Sequence, residues 1–188
     1  MNQEKNILLA IDPGDVESAF VFIDIDTYKP LYFKKTDNDT MYYLMDEYIE
    51  NYKYNDKFSL SVACEMVASY GMSVGRNVFQ TCVAIGELSM YFGLMHDTNV
   101  EYIYRKDETM NLCGSMRAKD SNVRVALIDR FAKFDFKSGK GTKKNQDWFY
   151  GFSADIWAAY ACGVTWIDIK KKLYTTIKNM SKKPTGGE

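Results

Sequence analysis

The sequence predicts an α/β fold built on one mixed five-stranded sheet: an antiparallel meander of three strands, then parallel strands, with helices on both faces. Two patterns predict it. Three strand-like runs open the chain with only turn residues between them, the signature of a meander. From about residue 40 onward, strand-like and helix-like segments alternate, which makes the later strands parallel. No internal repeat or linker divides the chain. One domain is therefore expected over 1–180, followed by a disordered tail at 181–188.

Each element has its own reason. KNILLAID (5–12) is an apolar run ending in Asp-Pro-Gly, a buried strand running into a turn. SAFVFIDI (18–25) is the second strand, Asp26 to Pro30 the turn, and LYFKK (31–35) the third strand. TMYYLMDEYIENY (40–52) sets Met41, Leu44, Met45, Tyr48 and Ile49 at helical spacing. FSLSVACE (58–65) alternates in character and forms the fourth strand, ending in Glu65. A glycine-containing loop, ASYGMSVG, leads into a helix over 76–95, and VEYIY (100–104) is the fifth strand. KDETMNLCGSMRAK reads as a loop before a helix over 119–133, where Val123, Ala126, Leu127 and Arg130 repeat at helical spacing. Residues 135–150, polar and basic with two glycines, read as a mobile loop. The last helix runs from Ser153, an apt N-cap, to about 178, with Asp155 in its first turn.

The bulk properties exclude several classes. Of 188 residues, 46 % are hydrophobic and 26 % charged, an ordinary globular mixture rather than a disordered one. The net charge of −1 conceals an asymmetry: residues 1–118 carry 10 basic and 18 acidic side chains, residues 119–188 carry 14 and 7. Such a split points to a nucleic-acid partner or to lysines on solvated helix faces. Cys64, Cys82, Cys113 and Cys162 are widely spaced, and His96 is the one histidine, so no structural zinc site is expected. The N-terminus does not read as a signal peptide and no stretch as a membrane span, so a cytoplasmic protein with reduced thiols and no membrane partner is expected.

Three acids stand where regular elements end or begin among apolar neighbours: Asp12, Glu65 and Asp155. If the first and fourth strands are adjacent, Asp12 and Glu65 share one edge, and the last helix brings Asp155 to it. Three like charges held together in a buried place require a cation. Oxygen-only ligands suit Mg²⁺ or Mn²⁺, and two such ions roughly 3.5–4 Å apart can hold a phosphate for hydrolysis. Taken singly, each acid also reads as an ordinary turn, strand-end or cap residue.

The order Asp12-Pro-Gly, Glu65, Asp155 resembles the RuvC family of the RNase H-like superfamily, and more specifically the resolvase-like proteins of phages and prophages. The similarity lies in ILLAIDPG (7–14), CEMVASYGMSVGRNVFQTCVAIGEL (64–88), YRKDETMNLCGSMRAKDSNVRVALIDRF (104–131) and FSADIWAAYACGVT (152–165). The resemblance implies an RNase H-like fold and a homodimeric crossover junction endodeoxyribonuclease. Such an enzyme resolves four-way (Holliday) junctions with two Mg²⁺ per site, for which Mn²⁺ can substitute, and uses no nucleotide cofactor. It assigns Asp12, Glu65 and Asp155 as metal ligands and catalytic residues. Lys106 matches a basic position after the fifth strand. Lys119 matches one that opens the next helix, where an ammonium stabilises charge developing at the phosphate. Arg105, Arg117 and Arg76 lie beside these positions as DNA-phosphate contacts.

Two departures stand out. The family's further acidic or histidine ligand falls three residues before the last Asp, which here is Phe152; Asp147 is the candidate substitute and Asp15 a second. The family's aromatic wedge falls three residues after the catalytic Glu, which here is Ala68; Tyr70, two residues on, either stacks on a junction base or packs the loop. Two alternatives to junction resolution stay open: a nuclease for flaps, forks or other branched DNA, and a non-catalytic nucleic-acid-binding module. A two-domain actin-like ATPase is not expected from these 188 residues, which carry no glycine-rich phosphate loops.

Overall fold

Five consecutive apolar residues, Ile7 to Ile11, are buried in β1 (Lys5–Asp12), the central strand of the sheet. A strand covered on both faces reads as an unbroken hydrophobic run, and β2 (Glu17–Asp24) repeats this with Ala19 to Ile23. The computed structural model describes residues 5–55, 58–69, 71 and 73–180. With β3 (Pro30–Asp37), β4 (Phe58–Met66) and β5 (Val100–Tyr104), the sheet order is β3-β2-β1-β4-β5. β1–β2 and β2–β3 are antiparallel, whereas β1–β4 and β4–β5 are parallel. This is the mixed meander-then-parallel sheet that the sequence implied. The edge strand β3 exposes Lys34 and Lys35, charges that discourage edge-to-edge pairing.

Side chains alternate across the sheet and so build two cores. Ile7, Leu9 and Ile11 pack with α1 (Asn38–Asn55) through Met45 and Ile49, and with α2 (Arg76–His96) through Leu88 and Phe92. On the opposite face, Leu8 and Ala10 meet α4 (Asp120–Phe131) and the long α5 (Ala154–Met180) through Leu127, Tyr160 and Val164. The helix α5 lies close against the sheet at Gly163, where a Cβ would stand 2.4 Å from Ile23 Cδ1 and 2.8 Å from Ala10 Cβ. Asp168 fastens the same helix: it accepts Arg130 Nη1 at 2.7 Å, Arg130 Nη2 at 2.9 Å, Tyr28 Oη at 2.8 Å and Asn111 Nδ2 at 2.8 Å.

The structure corrects three expectations. Residues read as a loop after β5 form α3 (Arg105–Cys113). Asp107 Oδ2 accepts the Tyr104 amide at 3.2 Å, and Gly114 closes the helix in the left-handed region at φ 66°, a familiar start and stop. The segment 135–150 is tied down rather than loose, its backbone wrapped around Asp135 and Asp147 and its Phe149 buried. The helix α2 is long and apolar enough to cross a membrane by length and composition, contrary to the sequence reading. Here it lays Ala84, Ile85, Leu88 and Phe92 against the sheet. Further along α2, Ile85 belongs to the core, Val78 is half-buried, and Phe79 and Cys82 are exposed. Tyr70 and the expected tail at 181–188 lie outside the described residues.

Candidate active site

The period of two decides where the acids go. In β1, Leu8 and Ala10 face α5, so Asp12 does too; in β4, Ala63 faces α5, and so does Glu65. The parallel register pairs Ile11 with Cys64, which sets Asp12 and Glu65 side by side at the next step. Asp155, in the first turn of α5, reaches the same place. All three line one cleft of about 320 Å³, together with Arg105, Asp120 and Arg124.

The electrostatics follow from crowding. Burial, and then the charges of Glu65 and Asp155, push the Asp12 carboxyl up to about 7, against the opposing pull of Arg105 and Lys35. Burial raises Glu65 as well, with Arg105 opposing and Asp120 adding to the rise. Two cations offset the acids. Arg105 Nη1 donates to Glu108 Oε2 at 2.7 Å, and Nη2 pairs with Asp120. Lys35 Nζ lies 2.7 Å from Asp155 Oδ2 and 3.2 Å from Glu17 Oε2. The metal-ligating residue types in the lining are the acids Asp12, Glu65, Asp120 and Asp155, oxygen donors of the kind that suits a hard divalent cation. Among the described residues, no three Asp, Glu, His or Cys side chains lie close enough to hold one ion as they stand; Asp155 is engaged by Lys35 instead.

The other sequence-predicted residues divide. Arg105 lines the cleft. Lys106 and Lys119 are exposed beside cleft residues, Lys119 in the N-cap place of α4 next to Asp120. Arg117 is exposed between α3 and α4, and Arg76 is exposed at the start of α2. Asp147 is a correction: its carboxylate accepts the amides of Lys133, Phe134, Asp135 and Trp148 at 2.7–3.2 Å. That cap fixes the loop, and the residue does not line the cleft. Asp15 is exposed in the β1–β2 turn and does not line it either. Phe152 is buried against Phe33, Phe149, Trp157 and Tyr160, with ring centroids 4.7–5.5 Å apart, so an aromatic cluster fills the position where the resemblance led us to expect a further ligand.

Sequence reasoning missed four residues. Asp120 and Arg124 line the cleft from α4, and Arg124 stacks over Trp157 at 5.2 Å. Glu108 is fully buried, and its Oε1 has no hydrogen-bond partner among the described residues. Lys35 falls in the row of Asp12, because Asp12 pairs with Ala19 and Ala19 with Lys35, across a register shift between Phe22 and Ile23.

No protein-family model matches the chain, and a sequence comparison with characterised proteins finds no match. Solved structures do match. RuvC of Thermus thermophilus superposes with a TM-score of 0.60 at 11 % identity, over 88 % of this chain and 96 % of that one. The T. thermophilus RuvC structure in complex with a Holliday junction substrate gives 0.60 at 10 % identity, over 88 % and 95 %. At such identities the likeness is one of architecture. The chain has the RNase H-like fold, the arrangement of sheet and helices that it shares with RuvC over nearly the whole of both molecules.

Proposed function

We propose that the protein is a divalent-metal-dependent nuclease that cuts branched DNA, with the four-way junction as its substrate. One observation carries this reading: three acids from β1, β4 and α5 line a single cleft in which Asp12 is raised to about 7 by burial and by its acidic neighbours. A site that discourages its own carboxylate charge is a site that favours a cation. Asp12, Glu65 and Asp155 would hold two Mg²⁺, or Mn²⁺ in their place. Bound there, the ions supply an activated water and stabilisation of the departing 3′ oxygen. Arg105 presents its guanidinium at the cleft, where a phosphate oxygen can accept from it once the strand is in place. Lys106, Lys119, Arg117 and Arg76 are exposed and offer backbone contacts that position the DNA without reading its sequence. The fold shared with a RuvC solved on a Holliday junction supports the choice of substrate.

Cleavage of a synthetic four-way junction in Mg²⁺ tests the reading. The wild type should cut and Asp12→Asn should not; equal cutting by both proteins would remove Asp12 from the chemistry. A broader substrate range, forks and flaps included, is favoured by one residue: Ala68, exposed after β4, stands where a base-wedging aromatic would be expected. Comparing rates on junction, fork and linear duplex separates the two. A homodimer through the outer face of α2 belongs to the same proposal. So does a reducing, cytoplasmic setting, in keeping with the free cysteines Cys64, Cys82, Cys113 and Cys162.

A further inference from the structure

Lys35 belongs to the edge strand, yet its ammonium reaches across to the first turn of α5, 2.7 Å from Asp155 Oδ2, with Glu17 Oε2 behind it at 3.2 Å. The register explains the reach. Lys35, Ala19 and Asp12 form one lateral row across β3, β2 and β1, and strands in a sheet are about 4.8 Å apart. Only the methyl group of Ala19 lies between the lysine and the acid on that row, so nothing bulky blocks a long side chain from the cleft. The pair sits at the solvent-facing lip, with side-chain exposures of 39 % for Lys35 and 41 % for Asp155. An exposed pair of this kind is weak and readily exchanged. Asp155 is paired with Lys35, and among the described residues no three acids stand close enough to hold one ion.

We infer that Lys35 is the resident counter-ion of Asp155, that Asp155 exchanges it for a divalent cation, and that the released ammonium then binds a DNA phosphate at the lip of the cleft. The inference rests on the nuclease reading above and extends it to a coupling between cation and DNA. Glu17 is the tether: it keeps the ammonium at the lip after Asp155 lets go. A lysine exchanged in this way contributes to DNA binding only when the cation site is filled. An ordinary phosphate-binding lysine contributes whether or not the site is filled.

Two measurements on the whole protein test it. In calorimetric titration with Mn²⁺ and no DNA, Lys35→Met should bind about two- to fivefold more tightly than wild type, because the competing ammonium is gone. In equilibrium binding to a four-way junction, Lys35→Met and wild type should be equal in EDTA. In Ca²⁺ the variant should bind several-fold more weakly, with a salt slope shallower by about one. Lys35→Gln should reproduce both results, and Lys35→Arg should restore wild-type behaviour in DNA binding. Mn²⁺ affinity that is unchanged or weaker in both neutral variants overturns the exchange and leaves Lys35 as a pin between β3 and α5. An equal loss of DNA affinity in EDTA and Ca²⁺ overturns the coupling. Asp12→Asn separates this inference from its foundation. If Asp12→Asn binds Mn²⁺ like wild type, the metal-site reading itself fails. If it loses Mn²⁺ while Lys35→Met is unaltered, only the role of Lys35 fails.

Discussion

Glu108 accepts Arg105 Nη1 on Oε2 at 2.7 Å, from a position where its side chain has no exposure at all. Its other oxygen has no partner among the described residues. Burial and the nearby charge of Glu65 push this carboxyl well above its usual range, against the pull of Arg105. Arg105 is therefore both a cation of the cleft and the main satisfaction of a buried acid. Replacing it by methionine strands that acid and should cost about 1–3 kcal/mol of stability, the range for a buried polar group left unpaired. Adding Glu108→Met should return much of the loss, because the orphan is removed along with its partner. Denaturant unfolding of the two single variants and the double variant measures this; strict additivity would show that the pair does not act as a unit.

The crowded acids predict an unusual pH dependence for the metal-free protein. The Asp12 carboxyl is at about 7 in the folded protein and 3.8 as an unperturbed group. Between those values the folded state binds more protons than the unfolded state, so stability falls as pH rises through the window. The contribution of Asp12 is at most about 4 kcal/mol, because each tenfold change in proton affinity is worth about 1.4 kcal/mol. In EDTA, the Tm of wild type should drop between pH 5 and pH 8 more steeply than that of Asp12→Asn. At pH 8 the variant should be the more stable of the two, and Mg²⁺ should raise the Tm of wild type alone. Parallel profiles for the two proteins would contradict the crowding.

Asp147 supports a prediction of the opposite kind. Burial raises its carboxyl, but the amides of Asp135, Phe134, Lys133 and Trp148 outweigh that and bring it to about 2. Asp147→Asn keeps the shape and loses the charge that four amides face, at a cost of about 1.5–3 kcal/mol for charge-assisted bonds. Its Mn²⁺ affinity should equal that of wild type. A loss of Mn²⁺ binding without a loss of stability would return Asp147 to the metal site.

These residues show what was legible in the sequence. The strands β1 and β2 were readable because both of their faces are buried, which leaves an apolar run with no competing interpretation. Asp12, Glu65 and Asp155 could be placed because strand ends and a helix start are local features. The helix α3 was not readable as a helix, because the residues it buries are Glu108 and Thr109; a polar buried face has no hydrophobic period. Asp147 was misread because an acid in a glycine-containing loop looks the same whether it faces a metal or caps the backbone. Lys35 depends on the register of two hairpins, a non-local property that a count of apolar positions does not carry.

The last prediction concerns the outer face of α2. Phe79, Val83, Met90 and Leu94 lie along it at helical spacing, and Leu94 is 76 % exposed. Gly86 and Gly93 fall on the same stripe, and a Cβ at either would meet nothing within 4 Å. Glycine inside a helix costs about 1 kcal/mol relative to alanine, so two of them on an open face are unexplained in a monomer. A second α2 packed closely against this face would explain both the glycines and the exposed apolar side chains. Sedimentation at micromolar concentration should show a dimer. Leu94→Glu combined with Val83→Glu should give a folded monomer with unchanged Mn²⁺ affinity, since α2 contributes none of the cleft's lining. A wild type that sediments as a monomer, or a double variant that stays dimeric, would exclude this face as the interface.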